Sequence, residues 1–356
     1  MLVAGSVTAG LVAGSAGAAA LMRSSETDEQ TDTGSQAPAV LLGAEPPRHV
    51  ALIALDAPEG WEKGPTAAVG NLTATLRDVS PGKGHATLAL GHRLFTRSGS
   101  SGRTPRLLKP MPSFPGDVLD PSHSHGDVLV QLAADSRAAV TRAEQDLTTR
   151  LAGWTPRWRI SGFRADSRAQ DGRGLAKNPF HFTEGFGNPG DQRSVDERAL
   201  VRRDQGEPAW AVGGTYQVVR IIRLATELWD KDTVEEQEHI IGRRRDGRWL
   251  DGTPVQERAN FAADPRGRRT PLDSHVRLAA PDPRNPPPLV RRSYSYDRGD
   301  GDVGLVFSCF QRDLEAGFET VQRRLAGESM AKYLLTTGGG YYFVPPRGGE
   351  WVRAAF

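Results

Sequence analysis

A single cysteine, Cys309, occurs in 356 residues. An intrachain disulfide is excluded, so in an exported chain stability has to come from core packing or a bound cofactor. Cys309 lies in the apolar run Val303 to Phe310 and reads as a small buried hydrophobe. No paired Cys/His spacing of the zinc type is present. A P-loop is missing, as is a Gly-x-Gly-x-x-Gly after a strand, which removes the usual nucleotide motifs. Charge of one sign is lacking too: 45 Lys and Arg face 43 Asp and Glu, a net +2. The arginines are scattered rather than striped, so no nucleic-acid partner is expected. What remains is an ordinary soluble composition, 38% hydrophobic and 25% charged, long enough for two modest domains or one large one. With 25 prolines and 40 glycines, many loops are expected.

Leu2 to Leu21 is uncharged, rich in Ala and Gly, and weakly apolar. Ala16-Gly17-Ala18 and Ala18-Ala19-Ala20 resemble export cleavage sites, although no basic residue precedes the run. Residues 1–22 are expected to be a signal-like segment, with a membrane anchor as the rival, and the localisation to be exported. The polar stretch 23–48 reads as a disordered linker. Strands are expected at His49 to Ala57, Ala86 to Phe95, Gly126 to Ala134 and Trp154 to Phe163, with helices at Thr66 to Val79 and Ser136 to Leu151. That β-α-β-β-α-β order suits a ferredoxin-like α+β unit. A long irregular segment, Arg164 to Arg203, follows; such a loop is more often functional than idle.

The order then returns. Strands are expected at Thr215 to Leu224, His275 to Ala280, Tyr294 to Tyr296, Asp302 to Phe310 and Tyr341 to Val344. Helices are expected at Thr233 to Arg243, opened by the capping box Thr233/Glu236, and at Phe318 to Leu325. The fold class is therefore α+β: two ferredoxin-like halves, 49–195 and 196–353, with antiparallel sheets and flanking helices, of the dimeric α+β barrel type. Two of these strands lie in the stretch DSHVRLAAPDPRNPPPLVRRSYSYD, with His275 in the first and Arg291-Arg292, sixteen residues later, opening the second. A strand that leaves, turns and returns can face an imidazole, a common metal ligand, toward a fixed guanidinium. By itself a lone strand histidine is more often a core or surface residue. His123 and His125, in SHSHGD, are a second and weaker metal candidate.

Five blocks, in order, resemble the dye-decolourising peroxidases, in particular their exported actinobacterial type. They are FPGDVLDPSHSHGDVLVQLAAD; Glu207-Pro208-Ala209-Trp210 with GGTYQVVRIIRL; WDKDTVEEQEHIIGR; DSHVRLAAP with LVRRSYSY; and SCFQRD with FETVQRRLAG. The resemblance covers roughly His49 to Pro346. It implies a haem b enzyme, an oxidoreductase that takes hydrogen peroxide as acceptor and oxidises bulky organic donors, and it leaves a homo-oligomer open. His275 matches the iron ligand, Arg291 the distal arginine, and Arg292 is its fallback by one register step. The family's loop GFxDGxxNP is matched by His181-Phe182-Thr183-Glu184-Gly185-Phe186-Gly187-Asn188-Pro189. Glu184 stands where the family has its acid/base Asp, His181 where it has Gly, and Ser293 where exported members usually carry Gly.

The resemblance further implies that Gly185, Gly187 and Asn188 line the cofactor, and that Arg243 meets a propionate. An acidic group should back His275, but no residue is singled out for that part. Tyr294, Tyr296, Tyr341, Tyr342 and Trp229 are relay candidates, although such residues are more often packing, and His181 is placed at the pocket or its channel. Three other readings stay open: deferrochelatase-like removal of iron from haem, a non-catalytic haem-binding protein, and a cofactor-free module that binds a partner.

Overall fold

The computed structural model describes residues 37–43, 45–168 and 174–356. The signal-like segment 1–22 and most of the linker lie outside them. The described part of the linker is not loose chain: Ala37, Val40 and Leu41 are buried. Among the described residues no helix is long and apolar enough to cross a membrane.

The first half runs β1 (His49–Asp56), α1 (Pro65–Asp78), β2 (His85–Gly91), α2 (His92–Arg97), β3 (Val128–Ala134), α3 (Arg137–Thr149) and β4 (Thr155–Phe163). β1 is apolar throughout because it is central, paired with β3 and β4 and buried on both faces. α1 starts with proline, which lacks the N–H the first turn cannot use, and buries Val69, Leu72 and Leu76 on one stripe. Ser136 caps α3 by accepting from the Ala139 N–H. The strand expected to reach Phe95 ends at Gly91 and turns directly into α2. A side chain at Gly91 would collide with the Gly126 carbonyl, so β2 closes there against the backbone of the next connection.

The segment expected to be irregular holds β5 (Ala165–Arg168), β6 (Gly174–Lys177) and α4 (Gln192–Ala199), the last capped by Asp191. Residue 195 lies inside α4. The second half follows with β7 (Thr215–Leu224), α5 (Thr226–Trp229), α6 (Val234–Ile241), α7 (His275–Ala279), β8 (Val290–Arg291), β9 (Tyr294–Asp297), β10 (Val303–Gln311), α8 (Thr320–Arg324) and β11 (Leu334–Val344). The last strand begins seven residues before the expected Tyr341. Gly338-Gly339-Gly340 lies within this strand, and Cβ atoms at Gly338 and Gly339 would overlap the His123 and Val219 carbonyls.

Each half has the ferredoxin-like order, β4-β1-β3-β2 in the first and β11-β7-β10-β9 in the second. The halves join edge to edge, β11 to β2 through Tyr342 and Phe343, and β4 to β9 through Phe163 and Ser295. The sheet thereby closes on itself, which covers its edges. Leu52, Leu129, Ile160, Val219, Val306 and Phe310 belong to one core on its inner face. A second core lies between the outer face and α1, α3 and the 314–321 region.

Two of the resembling blocks meet in this core. Asp117 of the FPGD block and Arg220 of the TYQVVR block form a buried ion pair, with Nη1 to Oδ2 at 3.1 Å and Thr336 as a third partner. It pins the proline-rich loop along β11, where the Val118 and Asp120 N–H groups donate to Thr336 and Thr337. Removing one member strands a buried charge, which costs about 3–5 kcal/mol. Asp117→Ala should lower urea-unfolding stability by that order, and the double variant Asp117→Ala/Arg220→Met should recover part of it. Equal stability of wild type and Asp117→Ala would show the pair to be a spectator.

Candidate active site

β8 and β9 keep one register along β10, from Val290 opposite Phe310 to Tyr294 opposite Val306, so side chains alternate through Arg291 and Arg292. Arg291 shares the outer face with Cys309. Arg292 points inward, where its Nη2 donates to the Leu41 and Gly43 carbonyls. Arg292, the fallback, therefore faces away from Arg291 and secures the 37–43 segment.

The loop after β6 approaches Arg291 from the other side. Lys177 and Thr183 form a bridge, the Glu184 N–H donates to the Ala176 carbonyl (2.8 Å) and the Thr183 N–H to that of Arg245 (2.9 Å). The Cα of Glu184 is thus held from both sides. Gly185 (φ 101°) and Gly187 (φ 86°) adopt left-handed backbone, so glycine is needed there for conformation. His181 has φ 71°, which explains why a glycine suits that position in the family's loop. Its ring is partly exposed and pairs with Asp230 at 2.9 Å. The Asn188 side-chain amide is engaged with the Arg291 backbone.

Glu184 and Arg291 are half-buried. Burial pushes the Glu184 carboxyl up, opposed by the Asn178 amide, Arg164 and Arg291. Burial lowers Arg291, while Glu184 favours its charged form. Arg291 also donates to the Phe186 carbonyl, and Arg198 donates to that of Gly187 (3.2 Å).

The segment 242–247 links this loop to His275. Gly247 lies against the Phe186 ring, and Gly242 against Ser274 and Val276. Arg243 stacks on Trp249, 3.6 Å from the ring centroid, and lies over Phe186. Its pKa is lowered to about 10 by burial and then by Arg291. Among the described residues no carboxylate lies within ion-pair distance of it. His275 opens helix α7 and is not in a strand. Five residues of alternation are too short to separate the two periods, and Arg277 fixes the helix by bonding Asp264 and the Thr270 carbonyl. His275 Nδ1 lies 2.7 Å from Glu328 Oε2. Glu328 is the acidic partner that sequence reasoning did not single out; it directly follows the block FETVQRRLAG. Arg198 was missed as well, hidden in the segment read as irregular.

The remaining candidates are not brought here. His123 pairs with Asp120, and His125 gives its carbonyl to Trp158 and Tyr342. Among the described residues no group of three metal-type ligands forms. Tyr294, Tyr296, Tyr341 and Tyr342 are core residues. Trp229, also buried, stacks on Phe180 at 4.4 Å.

Comparison with known proteins identifies the family. Residues 62–164 match the family "Dyp-type peroxidase, N-terminal" and 176–348 match "Dyp-type peroxidase, C-terminal". The chain belongs to the Dyp-type peroxidases. It is 38% identical over 281 residues to the deferrochelatase of Escherichia coli (strain K12), an alignment spanning 75% of this chain and 66% of that relative. Ferric DtpA from Streptomyces lividans superposes with a TM-score of 0.77 at 28% identity, over 90% of this chain and 96% of that one. The DyP-type peroxidase from Cellulomonas bogoriensis gives 0.75 at 30% identity, over 89% and 98%.

Within this Dyp-type loop, left-handed backbone makes a sharp forecast. Gly185→Ala and Gly187→Ala should each cost about 1–2 kcal/mol, whereas His181→Gly should cost nothing measurable in chemical denaturation. A destabilised His181→Gly would mean the Asp230 pair outweighs the strain.

Proposed function

We propose that this protein is a haem-dependent peroxidase that reduces hydrogen peroxide and oxidises bulky organic donors. The observation that carries the reading is one connected site. A carboxylate-backed imidazole (His275–Glu328) is joined through 242–247 to an enclosed acid–guanidinium pair (Glu184–Arg291). The residues fit a haem b. Glu328 engages Nδ1 of His275, which leaves Nε2 as the lone-pair donor to an iron. Arg243, desolvated and without a carboxylate in reach, suits a propionate.

Bound haem supplies the redox chemistry, and the protein supplies position and electrostatics. Glu328 would hold the His275 ring in one tautomer. Glu184, as carboxylate, takes the proton from one peroxide oxygen and returns it to the other. Arg291 stabilises the negative charge that develops as that proton moves. The raised Glu184 pKa sets the sign of the pH effect. Below it the group is protonated and cannot act as base, so peroxide reactivity rises with pH through a midpoint above the ordinary glutamate value of about 4.3.

A Soret band on adding haem, abolished by His275→Ala, is expected. Stopped-flow reaction with peroxide should slow at least about 100-fold in Glu184→Ala and be preserved or improved in Glu184→Asp. Equal rates in all three proteins would remove Glu184 from the chemistry. The deferrochelatase reading rests on the 38% identical relatives; release of metal-free porphyrin under reducing conditions would select it. Export of the chain belongs to the same proposal and is tested by cell fractionation.

A further inference from the structure

We infer that Asn188 is a positioning residue for Arg291, a role that rests on the peroxidase reading above. The Arg291 N–H donates to Asn188 Oδ1 (3.0 Å), and Asn188 Nδ2 donates to the Arg291 carbonyl (2.8 Å). One planar amide therefore does what a neighbouring strand residue would do. The position calls for such a substitute. At β8 the groups facing β10 belong to the flanking residues, as when the Arg292 N–H donates to the Ser308 carbonyl. The N–H and C=O of Arg291 point the other way. There the next strand, β4, reaches β9 only at Ser295 and does not extend to residue 291.

Only a side chain with one donor and one acceptor in a plane closes both bonds. Aspartate cannot donate, and alanine offers neither group. Pro189 follows and biases residue 188 to extended backbone, which helps hold the amide in place. The same loop carries Glu184 four residues earlier, and its Phe186 carbonyl accepts from the Arg291 guanidinium. Asn188 thus ties the acid/base loop to the strand bearing the cation and sets the spacing of the two groups.

The test compares wild type, Asn188→Ala and Asn188→Asp as haem-loaded protein, each also in a Glu184→Ala background. Haem stoichiometry should stay at one, and the melting temperature should fall by only a few degrees. Peroxide kcat/KM should drop at least tenfold in Asn188→Ala, less in Asn188→Asp. Cyanide association, followed without turnover by the Soret shift, should slow in parallel, and its pH midpoint should move. In the Glu184→Ala background the further loss should shrink to under threefold, because the spacing no longer matters. Amide exchange of haem-free protein should rise together in peptides covering 182–189 and 288–293. Wild-type cyanide kinetics and pH midpoint in Asn188→Ala, or an undiminished loss in the Glu184→Ala background, overturns the role. Unchanged exchange in the haem-free variant overturns it independently. Absence of a Soret band in wild type is a different result: it overturns the peroxidase reading, and the exchange data then decide the Asn188 clip alone.

Discussion

Guanidinium groups gathered around one loop set the constraint on which this site depends. Arg291 donates to the Phe186 carbonyl, Arg198 to that of Gly187, and Arg243 lies over the Phe186 ring. Each has its charged form disfavoured by burial, and Arg198 and Arg243 are further opposed by Arg291. Mutual repulsion in a region of low dielectric has to be offset. Glu184 answers Arg291, and Asp191 at the surface answers Arg198. Arg243 has stacking and a single carbonyl. A dianionic ligand edge would settle that imbalance, which is why the electrostatics favour a haem with propionates over a neutral ligand.

The closed sheet turns this local chemistry into a defined place. Its inner face is filled by side chains, so a large ligand has no room there. The outer face of the second half is where the chain departs longest from the sheet, between β7 and β8, and that excursion carries Arg243, Gly247 and His275. Arg291 reaches the same side because strand alternation puts it with Cys309. Its neighbour Arg292 is spent on holding the 37–43 segment against the opposite face. Two adjacent residues therefore face the candidate site on one side and fold closure on the other.

Much of this was legible in the sequence, and the gaps have physical causes. Long apolar strands such as β1 and β7, and helices with clear caps such as α3 and α6, were readable because their signals are local. Parity also separates the two arginines: Arg292 shares its face with Tyr294 and Tyr296, both buried, which leaves Arg291 for the other side. His275 was identified by type but not by element, since HVRLA satisfies a strand and a short helix equally. Glu328 is 53 residues from His275, and only tertiary folding brings them to 2.7 Å. The glycines of β11 escaped for a similar reason: the backbone that forbids side chains there comes from distant segments.

The substitutions within the loop are best understood together. A glutamate in place of aspartate adds a methylene, and two routes could absorb it: backbone retreat or a bent side chain. Backbone retreat is closed, because the N–H groups of Thr183 and Glu184 are both bonded, to Arg245 and Ala176, and Gly185 and Gly187 fix the turn that follows. His181 adds to this by anchoring the start of the loop to Asp230 at the cost of a strained φ. The extra length is therefore taken up by the Glu184 side chain, within reach of the Asn178 amide and of Arg164 as well as Arg291. The carboxylate keeps its chemistry while its position is set by three neighbours. On the proposed peroxidase reading, reactivity would depend on how those neighbours hold the carboxylate as well as on the identity of the acid.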